Sequence, residues 1–500
     1  MPIVYYCKKN NQNFDMSSTL VFIIITLYFS LLLIIAHFTS KGATSRTFFN
    51  ANRKSPWFVV AFGMIGTSLS GVTFMSVPGW VGTTQFSYMV MALGYLFGYI
   101  VIATILLPMY YKLNLTSIYS YLETRFGFWS YKTGAFFFIL SRSLGAAFRM
   151  YIVINVLQVF VFDAWNVPFW VTVLVFIVLV ILYTYQGGVK TIVWTDSLQT
   201  IGMLTAVILT LVFVTKELGF TFTELVQKVN DSEMSKMFFA NNWNDKRYFL
   251  KQFLAGMFIT ITMTGLDQEM MQKNLSCKNI REAQKNMLTF SVIIVFVILM
   301  FLFLGAILYM YAGANNVQIP KTTDDLYPLL ALKYFSPAIG IIFLIGLISA
   351  AFPSADGALT SLTTSFSIDF LGLNKKKIDE NKLRKTRYKV HFSFALLLLV
   401  IIVVFKTLND QAVIGKILTV AGYTYGPLLG LFSFGLFTKL KVKDGFVPII
   451  AILSPIICYL LSTFSKELFN GYELGYELLI INGIITFALL LMIRKKQIFK

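Results

Sequence analysis

Four ionisable residues lie within long apolar stretches of the sequence, namely Arg142, Arg149, Asp196 and Asp356. Each is a candidate functional residue, because a charge that is buried without a partner in an apolar environment costs several kcal/mol. Arg142 and Arg149 are seven residues apart, so on a helix they share one face and are separated by about 10 Å along the axis. Either the two arginines form structural ion pairs with the two aspartates, or at least one faces a cavity, where its planar guanidinium would bind an anionic solute.

Three apolar stretches are interrupted by glycine, hydroxyl and proline residues. They contain GMIGTSLSGVTFMSVPG (57–79), GMFITITMTG (249–266) and LISAAFPSADGALTSLTTSFSID (334–368). Pro353 has no N–H to donate to the preceding turn, so it frees a backbone carbonyl. Such carbonyls, together with hydroxyls such as that of Ser354, are the hard oxygens that a dehydrated sodium ion requires. The alternative is that the small residues serve only close helix packing.

The composition indicates which elements must position these residues. Of the 500 residues, 57% are hydrophobic and 13% are charged, whereas soluble domains contain roughly 25% charged residues. A soluble enzyme is therefore excluded, and an integral membrane protein is indicated. We predict thirteen helical spans, numbered 0 to 12, near 17–38, 57–79, 86–110, 133–161, 167–185, 192–215, 249–266, 287–312, 334–368, 391–405, 413–437, 446–464 and 477–493.

The distribution of charge predicts the orientation. Four basic residues between 41 and 54 follow span 0, so the positive-inside rule places the N-terminus outside and, after thirteen spans, the C-terminus inside. Basic residues recur in every second loop, including the loop with Lys273 and the dense segment 374–389, which is either a solvated loop or a lipid site. The net charge of +19 is thus explained by membrane insertion rather than by nucleic-acid binding.

The sequence lacks the residues that a disulfide framework, a metal site or an enzyme active site would need. The three cysteines and two histidines are too few and too scattered for a disulfide framework, a metal cluster or a proton relay. The spans contain no Ser/His/Asp set and no paired carboxylates at helical spacing, so we expect no enzyme. A channel is less expected than a transporter, because channels typically assemble a symmetric pore from repeated short subunits.

Four segments together resemble the sodium:solute symporter family. They are LTSIYSYLETRFG (115–127), GGVKTIVWTDSLQ (187–199), GLDQEMMQKNL (265–275) and PSADGALTSLTTSFSIDF (353–370). The resemblance implies an all-α membrane protein with a LeuT-like five-plus-five inverted repeat. The implied divisions are an extracellular N-terminus with a leader helix (1–45), a symporter core (46–440) with repeats near 57–215 and 249–437, and two additional helices with a cytoplasmic tail (441–500).

The resemblance also implies a sodium site. In the family, this site uses backbone carbonyls of helix 1 and carbonyl and hydroxyl groups of helix 8, with an aspartate of helix 5 nearby. By motif, these positions are Gly66, Leu69, Ala350, Pro353, Ser354 and Asp196. Pro353 departs from the family pattern, since many members have a hydroxyl residue there. One oxygen ligand is therefore lost or replaced by a carbonyl.

Residues for the solute follow more loosely from the same resemblance. The helix 1 positions that contact solute correspond to Ser68 and Thr73, and Thr260 lies in the hydroxyl-rich span 6. Sialic-acid carriers of the family use an arginine of helix 3 against the solute carboxylate, a role that Arg142 or Arg149 would fill. Span 2 contains no acidic residue, so a typical hexose carrier is less expected.

We therefore predict a sodium-coupled symporter that imports a small polar solute, with an anionic solute such as sialic acid or another carboxylate favoured. A neutral sugar or a vitamin is the alternative solute, and a proton is the alternative coupling ion. The expected partners are the solute, sodium and the lipid bilayer, with no nucleic acid and no obligate protein partner. The expected location is the cytoplasmic membrane, which the chain crosses many times.

Overall fold

The computed structural model describes residues 18–185, 187–373, 379–408 and 413–495. Their secondary structure is helical apart from isolated β-bridges, which confirms the predicted fold class. Predictions for the N-terminal residues 1–17, for 374–378 and for the tail 496–500 lie outside these ranges.

Each predicted span corresponds to a helix. Within the described ranges, ten helices are long and apolar enough to cross a membrane, the bent helix pair of span 6 makes an eleventh, and spans 4 and 12 are shorter apolar helices. In order, the helices are Ser18–Ser40, Trp57–Thr84, Ser87–Lys112, Phe128–Leu157, Phe169–Thr184, Val189–Glu217, Phe249–Gly265 with Gln268–Asn274, Ile280–Ala314, Pro337–Phe370, Glu380–Leu408, Val413–Phe437, Val447–Thr463 and Leu478–Met492. Span 9 begins eleven residues before its predicted start, because its first turns are charged and escape a search for apolar residues.

Spans 1 and 6 are both interrupted near their middle. In span 1, Ser70 has φ +55°, a left-handed conformation that disturbs the regular hydrogen bonding of the helix. In span 6, the helix stops at Gly265 and resumes at Gln268 after a bend of 69°. Asp267 caps the second piece, since its carboxylate accepts hydrogen bonds from the backbone N–H groups of Glu269 and Met270.

The interrupted spans are held by close helix packing. Span 5 packs against spans 1 and 8, span 7 packs against span 1, and span 2 packs against the first piece of span 6. At the contact between spans 2 and 6, a Cβ added to Gly94 would lie 2.2 Å from the Phe253 carbonyl oxygen, and one added to Gly256 would lie 2.1 Å from that of Met91. Only glycine permits this backbone approach.

The last helix is joined to span 10 by buried polar contacts. The Asn482 amide donates to the backbone carbonyls of Gly422 (3.0 Å) and Tyr423 (2.9 Å). Ser454 of span 11 donates to the Asn482 side-chain oxygen at 2.5 Å. Spans 10, 11 and 12 therefore form one hydrogen-bonded group.

Large apolar side chains cover the periphery of the helical bundle. Phe296 is 67% exposed, Leu396 63% and Ile484 62%. Apolar surface of this extent suits a hydrocarbon environment rather than water.

Candidate functional site

A cavity of about 100 Å³ lies where spans 1 and 6 are interrupted. All five residues predicted to bind solute line it, and they come from three different spans: Ser68, Thr73, Arg142, Arg149 and Thr260. Three buried tyrosines of span 2 complete the wall, namely Tyr88, Tyr95 and Tyr99. The cavity thus combines hydroxyl groups, aromatic rings and two guanidinium groups, a set that binds a polar solute with a negative charge.

Arg142 is already paired. Its guanidinium forms an ion pair with the carboxylate of Glu269 and lies 3.9 Å from that of Asp267. Asp267 also accepts a 2.6 Å hydrogen bond from the Tyr425 hydroxyl. Of the two alternatives, the pairing of Arg142 with Asp196 or Asp356 is therefore wrong, because the helix after the break of span 6 brings nearer carboxylates to it.

Arg149 stands in contrast to Arg142. It lines the same cavity, but among the described residues its guanidinium forms no ion pair or hydrogen bond. The alternative that Arg149 pairs with an aspartate of span 5 or span 8 is wrong as well, and the alternative that it faces the cavity is confirmed. A half-buried guanidinium that lines a cavity without a carboxylate partner favours an anionic ligand there.

The two aspartates have different surroundings. Lys273 donates to the Asp196 carboxylate at 2.6 Å, and the Thr67 hydroxyl donates to the same oxygen at 3.0 Å. The Asp356 carboxylate accepts a 3.0 Å hydrogen bond from the Tyr183 hydroxyl, and among the described residues no cation lies within ion-pair distance of it. Both aspartates are fully buried.

Three charged residues of the site were missed from the sequence, namely Asp267, Glu269 and Lys273. The segment GLDQEMMQKNL looks like the start of a basic inner loop, yet all three side chains are at most 3% exposed. The sequence did contain a signal for these residues, because the charges at 267, 269 and 273 closely follow a hydroxyl-rich span that ends in glycine. A bent second helical piece returns these residues to the interior.

The predicted sodium ligands come from spans 1, 5 and 8, which meet beside the cavity. Gly66 donates its backbone N–H to the Thr200 hydroxyl at 3.1 Å. A Cβ added to Gly66 would lie 3.4 Å from the Pro353 ring and 3.5 Å from the Asp196 backbone oxygen. Leu69 directly precedes the left-handed Ser70, and Ala350 lies one turn before the buried Ser354.

Two observations bear on whether these residues suit a cation. The buried Ser354 hydroxyl has no hydrogen-bond partner among the described residues, as expected of a group that is reserved for a ligand. The Asp196 carboxylate, in contrast, already has an ammonium partner in Lys273. The residues therefore fit a sodium ion bound by oxygens of spans 1 and 8, with Asp196 beside the site rather than at its centre.

The two ends of the bundle differ in the features that flank the cavity. A wider vestibule of about 690 Å³ shares Tyr88 with the cavity and is also lined by Trp80, Lys416 and Tyr476. At the opposite end, the Gln272 amide donates to the Phe49 carbonyl (2.6 Å) and to a span 8 threonine hydroxyl (2.9 Å). These hydrogen bonds lie beside the loops predicted to be cytoplasmic, at the predicted inner end of the bundle.

Known proteins resemble the chain over nearly its whole length. The sodium/sialic acid symporters of Aliivibrio fischeri and Proteus mirabilis are each 23% identical, over 94% and 91% of this chain and 93% and 92% of their own lengths. Human sodium-coupled monocarboxylate transporter 2 is 25% identical over 79% of this chain and 64% of its own length.

A solved structure and a family profile lead to the same assignment. A substrate-bound, outward-open Na⁺-coupled sialic acid symporter superposes with a TM-score of 0.82 at 20% identity, covering 95% of this chain and 99% of the other. This match shows the fold. The profile described as the sodium:solute symporter family matches residues 48–447. The chain therefore belongs to the sodium:solute symporter family.

Proposed function

We propose that this protein is a sodium-coupled symporter that imports a small polar solute bearing one carboxylate, of the sialic acid or monocarboxylate kind. The single observation that carries the solute class is Arg149, a guanidinium that lines the cavity without a carboxylate partner among the described residues. The names of the relatives support both halves of the proposal, since they are sodium-coupled and carry sialic acid or monocarboxylates. As its family indicates, the chain is a transporter rather than an enzyme.

The solute carboxylate would bind Arg149. The hydroxyls of Ser68, Thr73 and Thr260 would then bind its remaining polar groups. A carboxylate between two N–H groups of a guanidinium makes charge-assisted hydrogen bonds, which contribute about 1.5–3 kcal/mol each. The surrounding tyrosines would exclude water and strengthen this interaction.

Sodium would bind as the co-transported ion between spans 1 and 8. The proposed ligands are the carbonyls of Gly66, Leu69, Ala350 and Pro353 and the hydroxyl of Ser354. Asp196 is proposed as a neighbour of the site whose negative charge is compensated by its ion pair with Lys273. Pro353 contributes only its carbonyl, because it has no side-chain oxygen.

Coupling would follow from the shared use of span 1. Sodium holds span 1 against span 8 and thereby fixes the interrupted segment that also lines the solute cavity, so each ligand strengthens binding of the other. Entry of one sodium ion across an inside-negative potential of 100 mV contributes about 2.3 kcal/mol, enough for a roughly fifty-fold solute gradient. Opening of the inner end requires the hydrogen bonds of Gln272 to break.

The cellular placement and the chain divisions belong to the same proposal. The multi-pass membrane location is shared with the family, and we assign the protein to the cytoplasmic membrane with its N-terminus outside. The proposed divisions remain a leader region (1–45), a symporter core (46–440) and two additional helices with the tail (441–500).

The test uses purified protein in proteoliposomes with an imposed sodium gradient. Uptake of labelled sialic acid and of labelled lactate is measured with sodium outside and with choline in its place, alongside a neutral hexose and pantothenate. We expect one of the two acids to accumulate only with sodium. Uptake of the hexose alone would assign a neutral solute and contradict the proposed carboxylate. Uptake of pantothenate alone would assign a vitamin, which is itself a monocarboxylate, and uptake driven by a pH gradient without sodium would overturn sodium coupling.

A variant pair makes the test specific to the site. Arg149→Gln should abolish accumulation of the acid, whereas Lys216→Gln, a change outside the cavity near the end of span 5, should leave it unchanged. Equal uptake by Arg149→Gln and the unaltered protein would contradict the proposed role of Arg149.

A further inference from the structure

The cavity contains two guanidinium groups, but only one of them has a counter-ion. Arg142 and Arg149 lie two helical turns apart on span 3 and both line the cavity. Glu269 forms an ion pair with Arg142, and among the described residues no carboxylate pairs with Arg149. Glu269 therefore neutralises Arg142 and leaves Arg149 available to a ligand.

Glu269 is positioned from three sides. It lies in the second piece of span 6, only 1% exposed, with one carboxylate oxygen on Arg142 and the other 3.8 Å from the ammonium of Lys273. A Cβ added to Gly357 of span 8 would lie 2.3 Å from the Glu269 carboxylate. The space for this carboxylate thus exists because residue 357 has no side chain.

Asp267 does not duplicate this role. Its carboxylate lies 3.9 Å from the Arg142 guanidinium, beyond hydrogen-bond distance. One of its oxygens accepts from the Tyr425 hydroxyl and the other caps the helix that begins at Gln268. Glu269 is thus the carboxylate that contacts Arg142 directly.

We infer that Glu269 sets the charge selectivity of the cavity by neutralising Arg142, so that a single uncompensated positive charge is presented to the solute. Glu269 is a positioning residue that acts through Arg142, and it does not line the cavity itself. The inference rests on the proposed function, since it assumes that Arg149 binds the solute carboxylate. It identifies Arg142 as a latent second site for a carboxylate.

The test compares an acid with its neutral analogue. Binding of sialic acid and its methyl ester, and of lactate and lactamide, is measured by calorimetry in saturating sodium, and the pair whose acid binds is used further. The readout is the ratio of the two dissociation constants, which reports the positive charge presented to the solute. We expect Arg149→Gln to lower the preference for the acid roughly ten- to hundred-fold, the range of charge-assisted hydrogen bonds.

The decisive variant combines two changes. In R149Q/E269Q, Arg142 is released, and we expect the preference for the acid to recover by at least about ten-fold relative to R149Q. Glu269→Gln alone should raise the preference above that of the unaltered protein, and R142Q/E269Q should remove this gain. Glu380→Gln is the matched control, because Glu380 is bonded to Ser45, lies outside the cavity and should leave the ratio unchanged.

The outcomes separate the inference from the proposed function. If neither acid binds in sodium, the proposed function fails and the inference falls with it. If the acid binds but R149Q/E269Q discriminates as poorly as R149Q, only the inference is overturned. Should the glutamine variants not fold, Glu269→Asp, which moves the carboxylate back by one methylene, should give an intermediate ratio, and an unchanged ratio there would equally overturn it.

Discussion

The buried ion pair between Lys273 and Asp196 gives the sharpest stability prediction. The two charged atoms are 2.6 Å apart, with the side chains 3% and 0% exposed. Removing one partner of such a pair leaves an uncompensated buried charge and costs about 3–5 kcal/mol. Lys273→Met and Asp196→Asn should therefore each destabilise the protein strongly, whereas the double variant should recover most of the loss.

An exposed ion pair in the same molecule provides the control. Lys246 and Glu473 are 2.7 Å apart, but their side chains are 61% and 34% exposed. Exposed pairs contribute about 0–1 kcal/mol. Lys246→Met should therefore hardly change the stability of the protein, although the charged atoms of this pair are almost as close as those of the buried pair.

The assay is thermal unfolding of purified protein in detergent without sodium. An unfolding entropy of about 2 cal/mol/K per residue amounts to roughly 1 kcal/mol/K for a chain of this length. The single variants of the buried pair should thus lower the midpoint by about 3–5 °C, and Lys246→Met by at most about 1 °C. Equal shifts for Lys273→Met and Lys246→Met, or no recovery in the double variant, would refute the reasoning.

Three further predictions concern other parts of the site. Ser354→Ala should raise the sodium concentration for half-maximal thermal stabilisation at least about ten-fold, because one ligand oxygen is lost; an unchanged value would remove Ser354 from the site. Gly66→Ala should lower the melting midpoint by about 1–3 °C, since its Cβ would lie 2.5 Å from the Thr200 hydroxyl, and Thr200→Ala should restore it. Hydrogen bonds from Lys246 and Lys466 lower the pKa of Glu473 to about 2. Any stability from these ion pairs is fully present above the ordinary carboxyl pKa, declines as the pH falls below it, and is gone once the pH has fallen through about 2. Isotope-edited infrared titration of the carboxylate would check this.

The sequence alone was sufficient to locate the spans, because each contains an apolar stretch, although it placed the start of span 9 eleven residues too late. Glycine, hydroxyl and proline residues distinguished spans 1, 6 and 8. Spans 1 and 6 are interrupted, whereas the break expected in span 8 is wrong, because its helix continues through Pro353. The five solute candidates, which come from three spans, do line one cavity. The spans and the solute candidates could be predicted because they depend on local composition and on the order of motifs along the chain.

The ion pairs could not be predicted in the same way. The pairing of Arg142 with Glu269 depends on the 69° bend after Gly265, which turns charged residues of an apparent loop back into the protein. Charge density along the chain cannot reveal such a return, since Lys273 in sequence looks like any other basic loop residue. Which of two arginines has a counter-ion is likewise a property of three-dimensional distance.

The hydrogen bonds of Asn482 have a mechanical consequence. They attach span 12 to the backbone of span 10 at Gly422 and Tyr423, only a few residues from Ile417 and Leu418 of the cavity wall. Any displacement of span 10 must either carry span 12 along or break these bonds. A fluorophore on span 12 is therefore a remote reporter of span 10, read from a helix that does not line the solute cavity.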